Sequence, residues 1–119
     1  MKIEQTAWGR SIEILKGPKQ EEGRTIESAG VNFIEPGQII PLHVHTENTE
    51  DYIPQTEGLR ILVVNKEEAM KMSEEEAVHA VKVMLSSKVN DVITCHSGYA
   101  HALFNSATTQ GAFVFIKYN

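Results

Sequence analysis

The stretch from Pro36 to Glu50, PGQIIPLHVHTENTE, holds a turn, a strand and a loop in close succession. Pro36-Gly37 favours a type II turn, in which Pro presets one backbone angle and Gly accepts a positive φ. Gln38 to His45 then alternates, and in a strand residues two apart share a face. His43 and His45 therefore project side by side, in phase with Ile39 and Pro41, which suggests an apolar-lined space. Two imidazoles in such a space repel if protonated and leave ring nitrogens unsatisfied if nothing binds them. A divalent metal resolves both problems. His-x-His alone is a weak signal, and a plain surface or core pair is its competing reading.

Working outward, Thr25 to Glu35 reads as a strand that ends at the Pro36-Gly37 turn. Ile12 and Ile14 mark a short strand before it, separated by Lys16 to Arg24 (KGPKQEEGR), which reads as a turn-rich loop broken by Gly17-Pro18 and Gly23. Downstream, Tyr52 to Ile53, Leu59 to Val64, Asp91 to Cys95, Ala102 to Phe104 and Ala112 to Tyr118 are further strand candidates. Many short strands at roughly ten-residue spacing indicate an all-β sandwich or small barrel. Asn65 to His79 is the exception, rich in helix formers, with Ser73 and Glu76 at capping-box spacing. A short helix to about His79, followed by a strand through Leu85, is predicted there.

Composition bounds the rest. With 119 residues and 23% charged side chains, the chain is expected to form one domain over residues 1–119. A net charge of −5 argues against a nucleic-acid partner, whose recognition needs clustered Lys and Arg. The longest apolar run, Ala112 to Ile116, is far too short for a membrane span. Met1 to Gln5 lacks the apolar centre of a signal peptide, so a soluble, cytoplasmic protein is expected. Cys95, the one cysteine, closes no intrachain disulfide, and its strand position suggests a buried, inert thiol.

Two more residues strengthen the histidine pair. Glu50 lies where the chain enters its next strand, and His101 follows the Ser97-Gly98-Tyr99-Ala100 turn. Gly37, His43-Val44-His45, Glu50 and Gly58 together resemble the first motif of the cupin superfamily, over residues 37–58. His96-Ser97-Gly98-Tyr99-Ala100-His101 through Asn105 resembles the second, over residues 90–105. The resemblance implies a double-stranded β-helix, the jelly-roll barrel of cupins, and the short helix read above falls between the two motifs. It implies one divalent transition metal per chain (Fe, Mn, Ni, Zn or Cu) on His43, His45, Glu50 and His101. It also implies a small-molecule substrate or ligand.

This sequence departs from the pattern in places. Glu50 precedes Gly58 by one residue more than is usual, so either a residue is inserted near Pro54 or Asp51 takes the ligand position. Asn90 replaces a glycine, a mild change because Asn tolerates the left-handed conformation. His96 stands where proline is usual and is the candidate catalytic acid or base, against the plainer reading of a solvent-facing loop residue. Tyr52 and Tyr99 are candidates to reach the pocket; His79 reads as surface.

Ile40, Leu42 and Val44 make the outer face of the histidine strand apolar too. That face needs a cover, either N-terminal strands or a second subunit, and the resemblance leans to a homodimer. The functions that follow are a metal-dependent enzyme of dioxygenase, isomerase or lyase type, a non-catalytic binding module, or a metal-free isomerase or epimerase.

Overall fold

The structure, a computed structural model, describes residues 1–119. Its larger sheet contains β1 (Lys2–Gln5), β2 (Gly9–Glu21), β3 (Arg24–Ile34), β5 (Thr49–Pro54), β7 (Ile93–Cys95) and β9 (Gly111–Tyr118), in the order β1-β2-β3-β9-β5-β7. The smaller contains β4 (Ile39–Val44), β6 (Leu59–Asn65) and β8 (Tyr99–Asn105), in the order β4-β8-β6. Every pairing is antiparallel, and the two sheets close on one another as a jelly roll. The core between them takes Phe113 and Phe115 from β9, Ile61 from β6, Leu103 from β8 and Ile34 from β3. Burying each such side chain stabilises the fold by roughly 1.5–3 kcal/mol.

The turn that opens the first motif forms as its sequence demands. Gly37 has φ +74°, and the Gln38 N–H donates to the Glu35 carbonyl at 3.1 Å. Asn90 is left-handed too, with φ +69°, so it stands in for glycine without a backbone change. Asn105, fully buried, closes the second motif. Its amide donates to the Ile34 and Thr109 carbonyls at 3.0 and 2.9 Å and accepts from the Ala107 N–H at 3.0 Å.

Four local expectations are corrected. Lys16 to Glu21 is strand, not loop, because these polar residues pair with β3 in an exposed ribbon where neither face needs apolar side chains. Gly17-Pro18 is absorbed by a register shift between Lys16 and Lys19. The turn shrinks to Glu22-Gly23, both with positive φ (49° and 80°), as a two-residue hairpin of the favoured hand requires.

The strand predicted through Leu85 is absent. The segment instead folds as α1 (Lys66–Lys71) and α2 (Glu74–Lys82), and the Ser73–Glu76 capping box starts α2. Val81 is buried on α2 against Leu62 and Ala102, whereas Val83 and Leu85 are exposed. Helical spacing, not alternation, was the operative period.

The helical insert lies over the outer face of β4, Val81 packing on Leu62 of β6 and Ala102 of β8, with Ile39, Leu42 and Val44 of β4 against them. The N-terminal strands β1 and β2 belong to the other sheet and do not cover it.

The phase of β4 also differs from expectation. Between Ile40, opposite Leu103, and His43, opposite His101, β4 carries one residue more than β8. This bulge re-aims the strand. Ile40 joins the core in place of Ile39 and Pro41, and His43 still faces inward.

Candidate metal centre

Antiparallel pairing of β4 with β8 sets His43 directly opposite His101, and His45 follows two residues on, beyond the end of β4. The potential ligand atoms of His43, His45 and His101 all lie within 4.8 Å of one another. Their ring centroids are 4.1 to 4.9 Å apart. From the opposite sheet, alternation along β5 turns Glu50, Tyr52 and Pro54 inward and buries them. Glu50 Oε1 comes to 2.9 Å from His45 Nε2 and 3.8 Å from His101 Nε2. Asp51 faces the other way, where it accepts from Thr94 Oγ1 at 2.7 Å and the Tyr118 hydroxyl at 3.2 Å. Geometry thus brings Glu50, and not Asp51, to the histidines. β5 pairs with β9 without a register break, so the additional residue lies in the turn after Pro54.

The donor set suits a metal in three respects. His43 Nδ1–H donates to the Pro41 carbonyl at 2.7 Å, the kind of outer contact that fixes a ligand's tautomer and leaves Nε2 as a lone-pair donor. His45 Nε2 and His101 Nδ1 are buried and form no hydrogen bond; for His45 this holds even though Glu50 is close. Such orphaned buried atoms are costly unless another partner satisfies them. Burial, reinforced by the neighbouring imidazoles, pushes His101 down to about 2 and also lowers His43. Both rings are therefore neutral near pH 7, the state in which imidazole binds metal.

Of the two tyrosines that were candidates to reach the pocket, Tyr52 does so. Its hydroxyl donates to Glu50 Oε1 and meets His101 Nε2, tying β5 to β8 inside the barrel. Burial, and then the adjacent Glu50, hold the phenol protonated well beyond its usual range. Tyr99, by contrast, is 42% exposed and turned outward. His96 is exposed, its ring 6.3 Å from Tyr99, and it is not among the residues that line the cavity. Cys95 is buried behind the site, where desolvation and Glu50 raise its thiol to about 11. His79 is on the exposed side of α2.

In front of the imidazoles lies a cavity of about 200 Å³. Trp8, Leu103 and Phe113 form its apolar wall, while Ser11, Asn32 and Lys117 form a polar one. A larger groove of about 460 Å³ lies outside the barrel between β4 and the helices, lined mainly by apolar residues. The three-histidine cluster opens on the smaller cavity, which is therefore the candidate site.

No family model matches the chain, and no curated protein matches it. Solved structures do match. The cupin domain of Schizosaccharomyces pombe Cnp3 superposes with a TM-score of 0.61 at 14% identity, covering 91% of this chain and 59% of that one. A cupin domain from Bordetella pertussis gives 0.57 at 18% identity, covering 92% and 93%. An oxalate oxidase gives 0.58 at 18% identity, covering 76% and 40%. The chain thus spans less than two thirds of the Cnp3 domain and of the oxalate oxidase. These likenesses show the fold, and the fold is that of a cupin. No helix is long and apolar enough to cross a membrane.

Proposed function

We propose that the chain binds one divalent transition metal through His43, His45, His101 and Glu50, and acts on a small polar molecule in the barrel. The observation that carries this reading is the convergence of three imidazoles and a buried carboxyl group, with two buried ring nitrogens lacking any hydrogen bond. When bound, such a metal supplies Lewis-acid or oxygen chemistry at the coordination positions that the protein leaves open. The chain supplies the rest. Pro41 orients His43, and the Tyr52 hydroxyl positions Glu50 and His101. Trp8, Leu103 and Phe113 restrict water on one wall. Within this reading, dioxygenase, isomerase and lyase reactions all remain consistent with the donor set.

One observation favours a metal-free binding module instead: Tyr52 already engages both Glu50 Oε1 and His101 Nε2. Elemental analysis separates the two. Untagged protein is stripped with chelator, loaded in turn with Mn(II), Fe(II), Ni(II) and Zn(II), and dialysed. About one equivalent per chain is expected for at least one metal, with His43→Ala losing most of it. Less than roughly a tenth of an equivalent of every metal, with His43→Ala indistinguishable from the native protein, rejects the metal site.

A further inference from the structure

We propose that the cavity is built for a short hydroxy-carboxylic acid, whose carboxylate is received by Lys117 and whose hydroxyl is received by Asn32. This rests on the metal-site reading for the other end of the molecule. Lys117 sits on β9 directly opposite Glu50 of β5, so the two side chains emerge together on the cavity side of the sheet. Yet Glu50 turns to His45 and Tyr52, and Lys117 forms no ion pair. Its ammonium leans along its own strand, 5.9 Å from the Phe115 ring centroid. A half-buried cation at a cavity wall, forming no ion pair although Glu4 and Glu13 lie in the adjoining space, is the arrangement that an incoming anion completes. Lys117 lines the same cavity as His43 and His101, so one small molecule can reach both ends.

The neighbouring wall narrows the ligand further. Ser11 of β2 and Asn32 of β3 are cross-strand partners and both line the cavity. Asn32 Oδ1 is buried without a hydrogen bond, an acceptor waiting for a donor. A carboxylate has no proton to give it; a hydroxyl does. The cavity of about 200 Å³ lies below the ~300–1,000 Å³ of sites for drug-sized ligands, so an acid of a few carbons is the fitting size. Glu4, exposed at the rim, forms no ion pair with Lys117 and leaves it free for the ligand.

Trp8, the one tryptophan, lines the same cavity and serves as the reporter. Zn(II)-loaded protein is titrated with glycerate and, separately, with the uncharged glyceramide, following Trp8 fluorescence, and zinc per chain is measured on the same samples. Glycerate is expected to give a saturable change with an affinity at least about tenfold above glyceramide's. Lys117→Met should abolish that preference with zinc content unchanged, and Lys117→Arg should keep it. Equal affinities for the two probes, no saturable change with glycerate, or a preference that survives Lys117→Met each overturn the proposal. The glycerate–glyceramide comparison needs no variant, so a poorly folding mutant does not shield it. Protein that takes up none of Mn(II), Fe(II), Ni(II) and Zn(II), yet prefers glycerate through Lys117, overturns the metal reading and supports this one. Protein that binds zinc without the preference does the reverse.

Discussion

At the scale of single residues, Tyr52 holds the centre together. Its hydroxyl bridges Glu50 and His101, which come from opposite sheets, while its ring packs edge-on to Phe113 at 5.5 Å. Tyr52→Phe keeps the ring and removes only the bridge. Metal affinity should fall about 10–100-fold, as it does when outer contacts to ligands are lost, with secondary structure intact. Competition against a chromophoric chelator measures this, and an unchanged affinity would reduce Tyr52 to a packing residue. The histidine pair was legible because the two-residue period of a strand is local. Asn32 and Lys117 were not, because their common cavity depends on how β3, β5 and β9 register across long sequence separations; Tyr52 was a pocket candidate that only this register separates from Tyr99. Choosing Glu50 over Asp51 needed only the phase of β5, which one-residue shifts invert.

At the scale of elements, α2 is the piece that a cupin barrel does not itself require, and it does structural work here. Its apolar stripe lies over the outer face of the smaller sheet, where Val81 packs on Leu62 of β6 and Ala102 of β8. Its start depends on Ser73, whose hydroxyl accepts from the Glu76 N–H at 3.0 Å while Glu76 returns a bond to the Ser73 N–H at 3.0 Å. Ser73→Ala should cost about 1 kcal/mol of stability, read as a lower denaturant midpoint. Metal content should not change, because no candidate ligand lies on α2. A loss of metal with Ser73→Ala would show that the helix shapes the centre from behind. The capping box was readable at once, since it needs only two residues at fixed spacing. The end of the helix was not, because Val81, Val83 and Leu85 fit a strand as well as Val78, Val81 and Leu85 fit a helix. Only the sheet beneath decides between those periods.

At the scale of the whole molecule, the barrel desolvates the proposed metal centre, and that has a cost in acid. For the metal-stripped chain, His101 titrates near 6.5 when unfolded and is pushed down to about 2 when folded, chiefly by burial. Between those values the unfolded chain binds a proton that the folded chain refuses. Stability therefore falls as pH drops below 6.5, at up to about 1.4 kcal/mol per pH unit from this group. His43 acts in the same direction just below 6.5, since burial lowers it as well. From pH 6.5 to 4.5 the loss from His101 alone is roughly 2–3 kcal/mol, a large share of the ~5–15 kcal/mol typical of a domain. Urea titrations of stripped protein at intervals across that range should show the fall. His101→Asn removes the titrating group, so whatever its stability at pH 7, its dependence on pH should be flatter. The proposed ligand set would take metal only when folded and neutral, so loaded protein should be more stable at pH 7 and should lose that margin as acid displaces the metal. A stripped protein equally stable at pH 6.5 and 4.5 would mean that the imidazoles open to water before the barrel unfolds, contrary to a rigid, desolvated centre.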